Sequence, residues 1–263
     1  MLGTSQDRFI AKLTAALGHP SDRSRRAKQL FGQPVSPDFR KRLERIGQRD
    51  AGQQRQLLER LLEVAQPLNL QVTLQPNLSA AAAAIVRLVQ NHEAEWGREK
   101  SVVAWRHPLV AGLHLEPLLG AIGVSLAYSE LACDGASLEE AREAIRDEIS
   151  HALVGITAAE FCLADTATVV FRTRPGQARS VGIAPSIHVA LIGLDQLIWD
   201  LAELYALIYA ESGDLRQALT NYMALTSGVS ASRDIEGVPV SPASGPGQVH
   251  IFVLQSRASV SDL

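Results

Sequence analysis

The stretch from Gly155 to Gly193 constrains the fold of this chain most, because it holds two apolar, β-favouring runs separated by a basic, glycine-containing turn. Thr166, Thr168, Val169, Val170 and Phe171 mark the first run, over residues 161–171. Arg172, Arg174, Pro175, Gly176 and Arg179 mark the turn, and Ile187 to Gly193 is the second run. Strands buried on both faces read as continuous apolar runs and can present polar groups only near their ends. Thr157, Asp165, Thr166, Thr168, Arg179, Ser180, Ser186 and His188 are therefore the expected lining of a polar edge.

The rest of the chain alternates extended and helical patterns. Leu70–Leu74, Ser101–Trp105, Ile122–Tyr128, Tyr222–Thr226 and Val249–Leu254 read as strands. Between them, helices are predicted from a Ser79 cap to about Trp96, over His107–Leu119 with Pro108 in the first turn, and through SLEEAREAIRDEISHAL. In the last, Ser137 and Glu140 form a capping box and Leu138, Ala141, Ile145 and Ile149 an inward stripe. A further, mostly buried helix is predicted from an Asp195 cap to about Ala210. Strand after helix after strand implies parallel pairing in an open α/β sheet. Helical patterns over residues 4–17 and 38–65, the latter interrupted near Gly47 to Gly52, precede it.

Charge divides the chain unevenly. Residues 1–60 carry 13 Lys/Arg against 6 Asp/Glu, and residues 61–263 carry 12 against 22, for a net charge of −3. The basic segment SDRSRRAKQLFGQPVSPDFRKR reads as a solvated connector or as an element that docks on an acidic surface, on this protein or another. With few aromatics for stacking and an acidic remainder, nucleic acid is not expected as a partner. No run of about 18 uncharged apolar residues is present and no signal-peptide core follows the first charges, so a cytoplasmic protein without a membrane span is expected.

Few signature motifs for chemistry are present. Neither G-x-G-x-x-G nor a Walker A run occurs, which argues against dinucleotide-dependent dehydrogenases and ATPases, and G-x-S-x-G is missing too. His107, His114 and Glu116 lie close in sequence but lack a ligand spacing of known geometry, and no metal is expected. The two cysteines, Cys133 and Cys162, are too few to hold an iron–sulfur cluster and read as small buried hydrophobes. Ser227-Gly228-Val229-Ser230, directly after a strand, leaves backbone N–H groups free where anions bind, and Asp234 and Glu236 alternate beyond it. His188, inside an apolar run but near the Arg179–Ser180 turn, is a candidate site residue, whereas His151 and His250 read as structural.

Three blocks together, GITAAEFCLADTATVV, GQARSVGIAPSIHVALI and TSGVSASRDIEGVPVSPASGPGQVHIFVL, resemble the lactate-utilisation protein C family, the LUD domain, in order and spacing over roughly residues 150–255. The match rests on Gly155, Thr157, Asp165, Thr166, Thr168, Arg179, Pro185, His188, Ser227, Gly228, Ser230, Asp234 and Glu236. The chain departs from the family pattern in four places, one of them Ile183-Ala184 where the family has the leucine pair of S-L-L-P. Ala167 stands for the glycine of T-G-T, Val229 for the proline of S-G-P-S, and Ser232-Arg233-Asp234 for T-A-D.

The resemblance implies a three-layer α/β/α, mostly parallel sheet of the type shared by glucosamine-phosphate deaminases, ribose-phosphate isomerases and CoA transferases. Residues 1–66 are then a basic helical extension, 67–255 the LUD-like domain and 256–263 a polar tail. It also implies a role in oxidising L-lactate to pyruvate within a complex whose iron–sulfur clusters sit on partner subunits, with no cofactor on this chain. Thr157, Asp165, Thr166, Thr168, Arg179, Ser180, His188, Ser227, Gly228, Ser230, Asp234 and Glu236 form the candidate ligand-binding set. Arg179, Ser180, Ser227, Ser230 and Asp234 are its expected anion pocket. The chain is then a non-catalytic or co-catalytic subunit, and the alternative is a self-contained enzyme or binding protein for a small phosphorylated or CoA-linked metabolite.

Overall fold

A computed structural model describes residues 9–12, 37–94, 99–130, 137–212, 223–230, 232–233, 239–240 and 242–255. The central strands are β1 (Leu70–Gln75), β2 (Ser101–Ala104), β3 (Ser125–Tyr128), β4 (Val154–Ala158), β7 (Ile187–Gly193) and β12 (Gln248–Leu254). They form one six-stranded sheet in the order β1-β12-β7-β4-β2-β3, and every neighbouring pair is parallel. Every residue of β4 and of β7 is buried, as their mostly apolar sequences predict, and Thr157 and His188 are buried with them.

Helices cover both faces of this sheet. On one side lie α3 (Leu78–Asn91), α4 (Pro108–Ala111) and α5 (Leu115–Gly120), whose Ile85, Val89, Val110, Leu115 and Leu119 pack on Val154, Ile156, Val189 and Leu191. On the other lie α2 (Ala51–Ala65) and α6 (Leu138–His151), which bring Leu57, Leu58, Leu61, Ala65 and Ile149 to Val103, Ala190, Ile192 and Ile251. The chain is thus a three-layer α/β fold. Helix α2, which the sequence reading placed in the N-terminal extension, packs into the same core as the sheet.

A second sheet sits within that layer. The strands β5 (Phe161–Leu163), β6 (Thr168–Arg172), β8 (Leu197–Ile198) and β9 (Met223–Thr226) are ordered β8-β5-β6-β9. The two apolar runs of the 155–193 stretch therefore belong to different sheets. Residues 161–171 are not one strand, because the turn at Asp165–Ala167 folds β5 back antiparallel to β6. Val169 and Phe171 face the central sheet, while Val170 and Leu163 face α7 (Leu201–Ser212) through Leu204 and Ile208. A short antiparallel pair, β10 (Ser232–Arg233) and β11 (Pro239–Val240), completes the strands.

Local chemistry sets the helix boundaries. The Ser137–Glu140 capping box opens α6 as the sequence predicts, although Leu138 is exposed and only Ala141 and Ile149 of the stripe are buried. The cap of α3 is Asn77, whose side chain accepts from Ala80 N, and not Ser79. His107–Leu119 is two short helices, broken at His114, which takes φ 47°. Asp195 lies in a 3-10 turn (Leu194–Gln196); Asp200 caps α7 instead, accepting from Glu203 N at 2.8 Å. α7 is also less buried than its sequence predicts, with Leu201 and Tyr205 exposed.

Of the basic segment only residues 37–42 are described, and there Arg42 meets an acidic residue of this protein. α1 (Pro37–Gly47) and the residues just after it lie against α7, with Arg42 paired to Asp200 at 3.3 Å, Arg49 to Glu203 at 2.5 Å, and Phe39 edge-on to Tyr209. Among the described residues, no helix is long and apolar enough to cross a membrane.

Candidate functional site

The residues expected to line one polar edge fall into separate groups. Thr157 on β4 and His188 on β7 share a hydrogen bond of 2.8 Å inside the core, both 1% exposed. Among the described residues His188 Nδ1 has no partner. A proton there would be an orphaned buried donor, so the tautomer that fits carries it on Nε2 and donates to Thr157. Burial, helped by the charge of His250, pushes the imidazole pKa down to about 4, so it is neutral at physiological pH.

Above this pair runs the 3-10 turn Arg179–Gly182. A Cβ on Gly155 would lie 1.9 Å from Val181 O, so glycine is what lets the turn rest on the sheet. Ser180 is exposed, and its carbonyl accepts from Ile183 N and Ala184 N within the turn.

A second group lies on the other face of the small sheet. The Thr168 hydroxyl is 2.8 Å from Thr166 Oγ1 and 2.7 Å from Ser227 Oγ, which ties the β5–β6 turn to the loop after β9. Ala167 takes φ 47° and is fully buried. Asp165 next to it has a buried Oδ1 without a hydrogen-bond partner among the described residues. Gly228, at φ 116°, passes over Leu68 and Leu70 at the amino end of β1, and Ser230 meets Ser244 at 3.4 Å. Asp234 and Glu236 lie outside the described residues.

Arg179 opens the turn that lies over the Thr157–His188 pair. It lines a cleft of about 730 Å³ with Ser129, Glu130, Arg142, Ile145 and the loop 173–178. Ser129 follows the carboxyl end of β3, at one edge of the sheet; Gly228 sits at the amino end of β1, at the other edge. Neither this cleft nor any described hydrogen bond joins Arg179 to Ser227. The structure thus brings Thr166 and Thr168 to Ser227, and Thr157 to His188, and places Arg179 on the cleft.

Sequence reasoning missed a charged cluster at the carboxyl ends of the central strands. Arg172, whose side chain is 8% exposed, donates to both oxygens of Glu160, which follows β4, and to Glu211 on α7 at 2.7 Å. The hydrogen bonds with Glu160 above all hold the Arg172 pKa high, and its bond to Glu211 holds that carboxyl low. His107, after β2, caps α4 by accepting from Leu109 N at Nδ1. Burial and then Arg174 lower its pKa, against a smaller opposing pull from Glu160. Glu160 and His107 stand just past strand ends, where a signal could have been sought, but no local motif marks the cluster.

Among the described residues, no group of three or more His, Cys, Asp or Glu is placed to hold a metal. Cys162 is sealed in the core, and burial drives its thiol pKa to about 12, which leaves it protonated and unreactive.

Comparison with known proteins converges on one family. The LUD domain matches residues 58–254. Lactate utilization protein C of Halalkalibacterium halodurans is 30% identical over 117 residues, covering 44% of this chain and 50% of that protein. Lactate utilization protein B of Shouchella clausii is 27% identical over 121 residues, covering 45% of this chain but only 24% of that protein. The uncharacterized electron transport protein YkgF of Escherichia coli K12 is 26% identical over 138 residues, 50% of this chain and 27% of that protein. The chain therefore spans half or less of the length of these relatives. A crystal structure of a DUF162 family protein from Deinococcus radiodurans aligns with TM-score 0.48 and 16% identity, over 77% of this chain and 98% of that one. The family match takes in α2 from residue 58 and all six strands of the central sheet, and by it this chain belongs to the LUD domain family.

Proposed function

We propose that this chain serves lactate utilisation as a non-catalytic or co-catalytic subunit, working beside iron–sulfur partners that oxidise L-lactate to pyruvate. The observation that carries this reading is the LUD domain over residues 58–254, shared with relatives named lactate utilization proteins B and C. The name electron transport protein on a further relative supports a redox system as the setting. Cys162 supports placing the clusters elsewhere, since a thiol sealed in a hydrophobic core is no cluster ligand. The cytoplasm is the expected site of action.

The chain's own contribution is to bind a small anion and a partner surface. A tagged copy, purified from lactate-grown cells, is expected to bring down a brown protein with the visible absorbance of iron–sulfur clusters, and deletion is expected to abolish growth on lactate. Recovery of the chain alone, with growth on lactate intact in the deletion strain, would overturn the proposal.

A further inference from the structure

The cleft beside Arg179 has the makings of a ligand site that the sequence motifs do not announce. Its position is the first reason. After β2 the chain passes to α4 and α5 on one face of the sheet, and after β3 it passes to α6 on the opposite face. Neighbouring strands whose continuations diverge in this way leave a crevice at their carboxyl ends, where open α/β sheets hold their ligands. The cleft opens there, with Ser129 and Glu130 following β3, Arg142 on α6, and the loop 173–178 across the end of β2.

That loop is held rigidly in place. Trp105 Nε1 donates to Ala178 O at 2.7 Å, Arg106 N to Gly176 O at 2.9 Å, and Gln177 Nε2 to Arg106 O at 3.3 Å. The Ser129 hydroxyl donates to Gly176 O at 2.8 Å and accepts from Ala178 N at 3.3 Å. Gly176 takes φ 76°, and a Cβ there would press to 2.8 Å from Arg106 Cβ, so the loop can lie this close only with glycine. Walls fixed before a ligand arrives reduce the ordering cost of binding.

Charge is the third reason. Arg142, Arg174 and Arg179 all line the cleft, and among the described residues Glu130 is the one carboxylate that lines it. Glu130 is held by Arg106 at 2.8 Å, and Glu211, which feels the charge of Arg174, is held by Arg172 at 2.7 Å. Among the described residues, neither Arg142 nor Arg174 forms an ion pair. In the cleft between α1, α2 and α7, Arg42 and Arg49 are already matched by Asp200 and Glu203, which leaves Arg45 as the one further guanidinium among its lining residues. An excess of guanidinium over carboxylate, in a walled space, selects an anion, and the planar fork of arginine suits phosphate.

We propose that this cleft binds a phosphorylated organic metabolite, with the phosphates against Arg142, Arg174 and Arg179 and the organic part against Ile145, Pro175 and Ala178. A volume of about 730 Å³ falls in the range that encloses ligands of nucleotide size and far exceeds a three-carbon acid. The site stands whether or not the chain serves lactate utilisation.

Calorimetric titration of the full chain with inorganic pyrophosphate, ADP and L-lactate tests this. Saturable binding of ADP, of pyrophosphate or of both is expected, weakened at least about tenfold by Arg174→Ala and by Arg142→Ala. Arg174→Lys is expected to retain part of the affinity, and Arg42→Ala, in the other cleft, all of it. An unchanged melting temperature establishes that each variant is folded, and a variant that loses its fold is replaced by its Lys counterpart. Binding that survives both alanine variants, no saturable binding of either phosphate probe at millimolar concentration, or binding of L-lactate alone would each overturn the assignment. Loss of growth on lactate in the Arg174→Ala strain is not required by it, which keeps this site and the lactate reading separately testable.

Discussion

Gly155 and Val181 are in contact because glycine lacks a side chain: the carbonyl of Val181 occupies the place where a Cβ at 155 would stand, 1.9 Å away. Through this contact the turn carrying Arg179 and Ser180 is seated on β4. The conflict with an added methyl is with backbone, which cannot swing aside as a side chain would. Gly155→Ala is therefore expected to destabilise the protein by about 3 kcal/mol or more, or to lift the turn from the sheet. Gly47→Ala, where nothing lies within 4 Å, is expected to be tolerated. Urea unfolding of the two variants decides; equal stabilities would sink the reading.

Ala167 holds a left-handed backbone at φ 47° in a fully buried position. Glycine there would relieve about 1 kcal/mol of strain and forfeit about 0.8 kcal/mol of methyl burial. Ala167→Gly should then leave stability within about 1 kcal/mol of the parent. Ala167→Val, with a branched Cβ in the same conformation, should cost more than about 2 kcal/mol. Thermal melts that ranked the two variants the other way would show that backbone strain does not govern this turn.

The Thr168–Ser227 hydrogen bond should appear as coupling. Thr168→Val removes a hydroxyl shared with Thr166 and Ser227 and is expected to cost about 1 kcal/mol. With Ser227→Ala the losses should be less than additive, by about 0.5 kcal/mol. Strict additivity in a double-mutant cycle would mean the bond does not form in solution.

His188 makes stability depend on pH in a definite direction. Its folded pKa is lowered to about 4, below the 6.5 of a free imidazole, so the unfolded chain takes up a proton that the folded chain refuses. Stability is expected to be flat above pH 6.5 from this group and to fall between pH 6.5 and 4, by up to about 3 kcal/mol. His250, lowered to about 4 mainly by burial, adds a slope of the same sign. His188→Gln should therefore reduce this acid slope without abolishing it. An unchanged slope in denaturant titrations across this range would refute the assignment.

Much of the architecture was written in local pattern. The β7 run, the Ser137–Glu140 box and the alternation of helix and strand specify their elements through short-range periodicity and capping, and these are as expected, whereas β4, Val154–Ala158, was not predicted as a strand of its own. What could not be read was partnership. Thr168 to Phe171 has the composition of a central strand but pairs with β5 and β9, because only the positive φ at Ala167 turns it back, and an alanine does not advertise that conformation. Asp195 and Ser79 are good caps by type, yet Asp200 and Asn77 do the capping, since tertiary packing decides where each helix begins. Arg179 was legible as a candidate from the turn it occupies. Arg142 and Arg174 were not, because their meeting around one cleft depends on α6 crossing from β3 back to β4.

The order of the central sheet has one further bearing, on how the chain reaches this state. β12, from Gln248, lies between β1 and β7, so Leu70 and His188 both take Val249 as their neighbour. Until that segment has left the ribosome, both flanking strands present open hydrogen-bonding edges, and the two parts of the sheet have no seam between them. Assembly must wait on the distant pairing of β1 with β12, a slow kind of contact. During synthesis, the exposed edges of β1 and β7 are the places where a chaperone, or a stray strand from another chain, would first take hold.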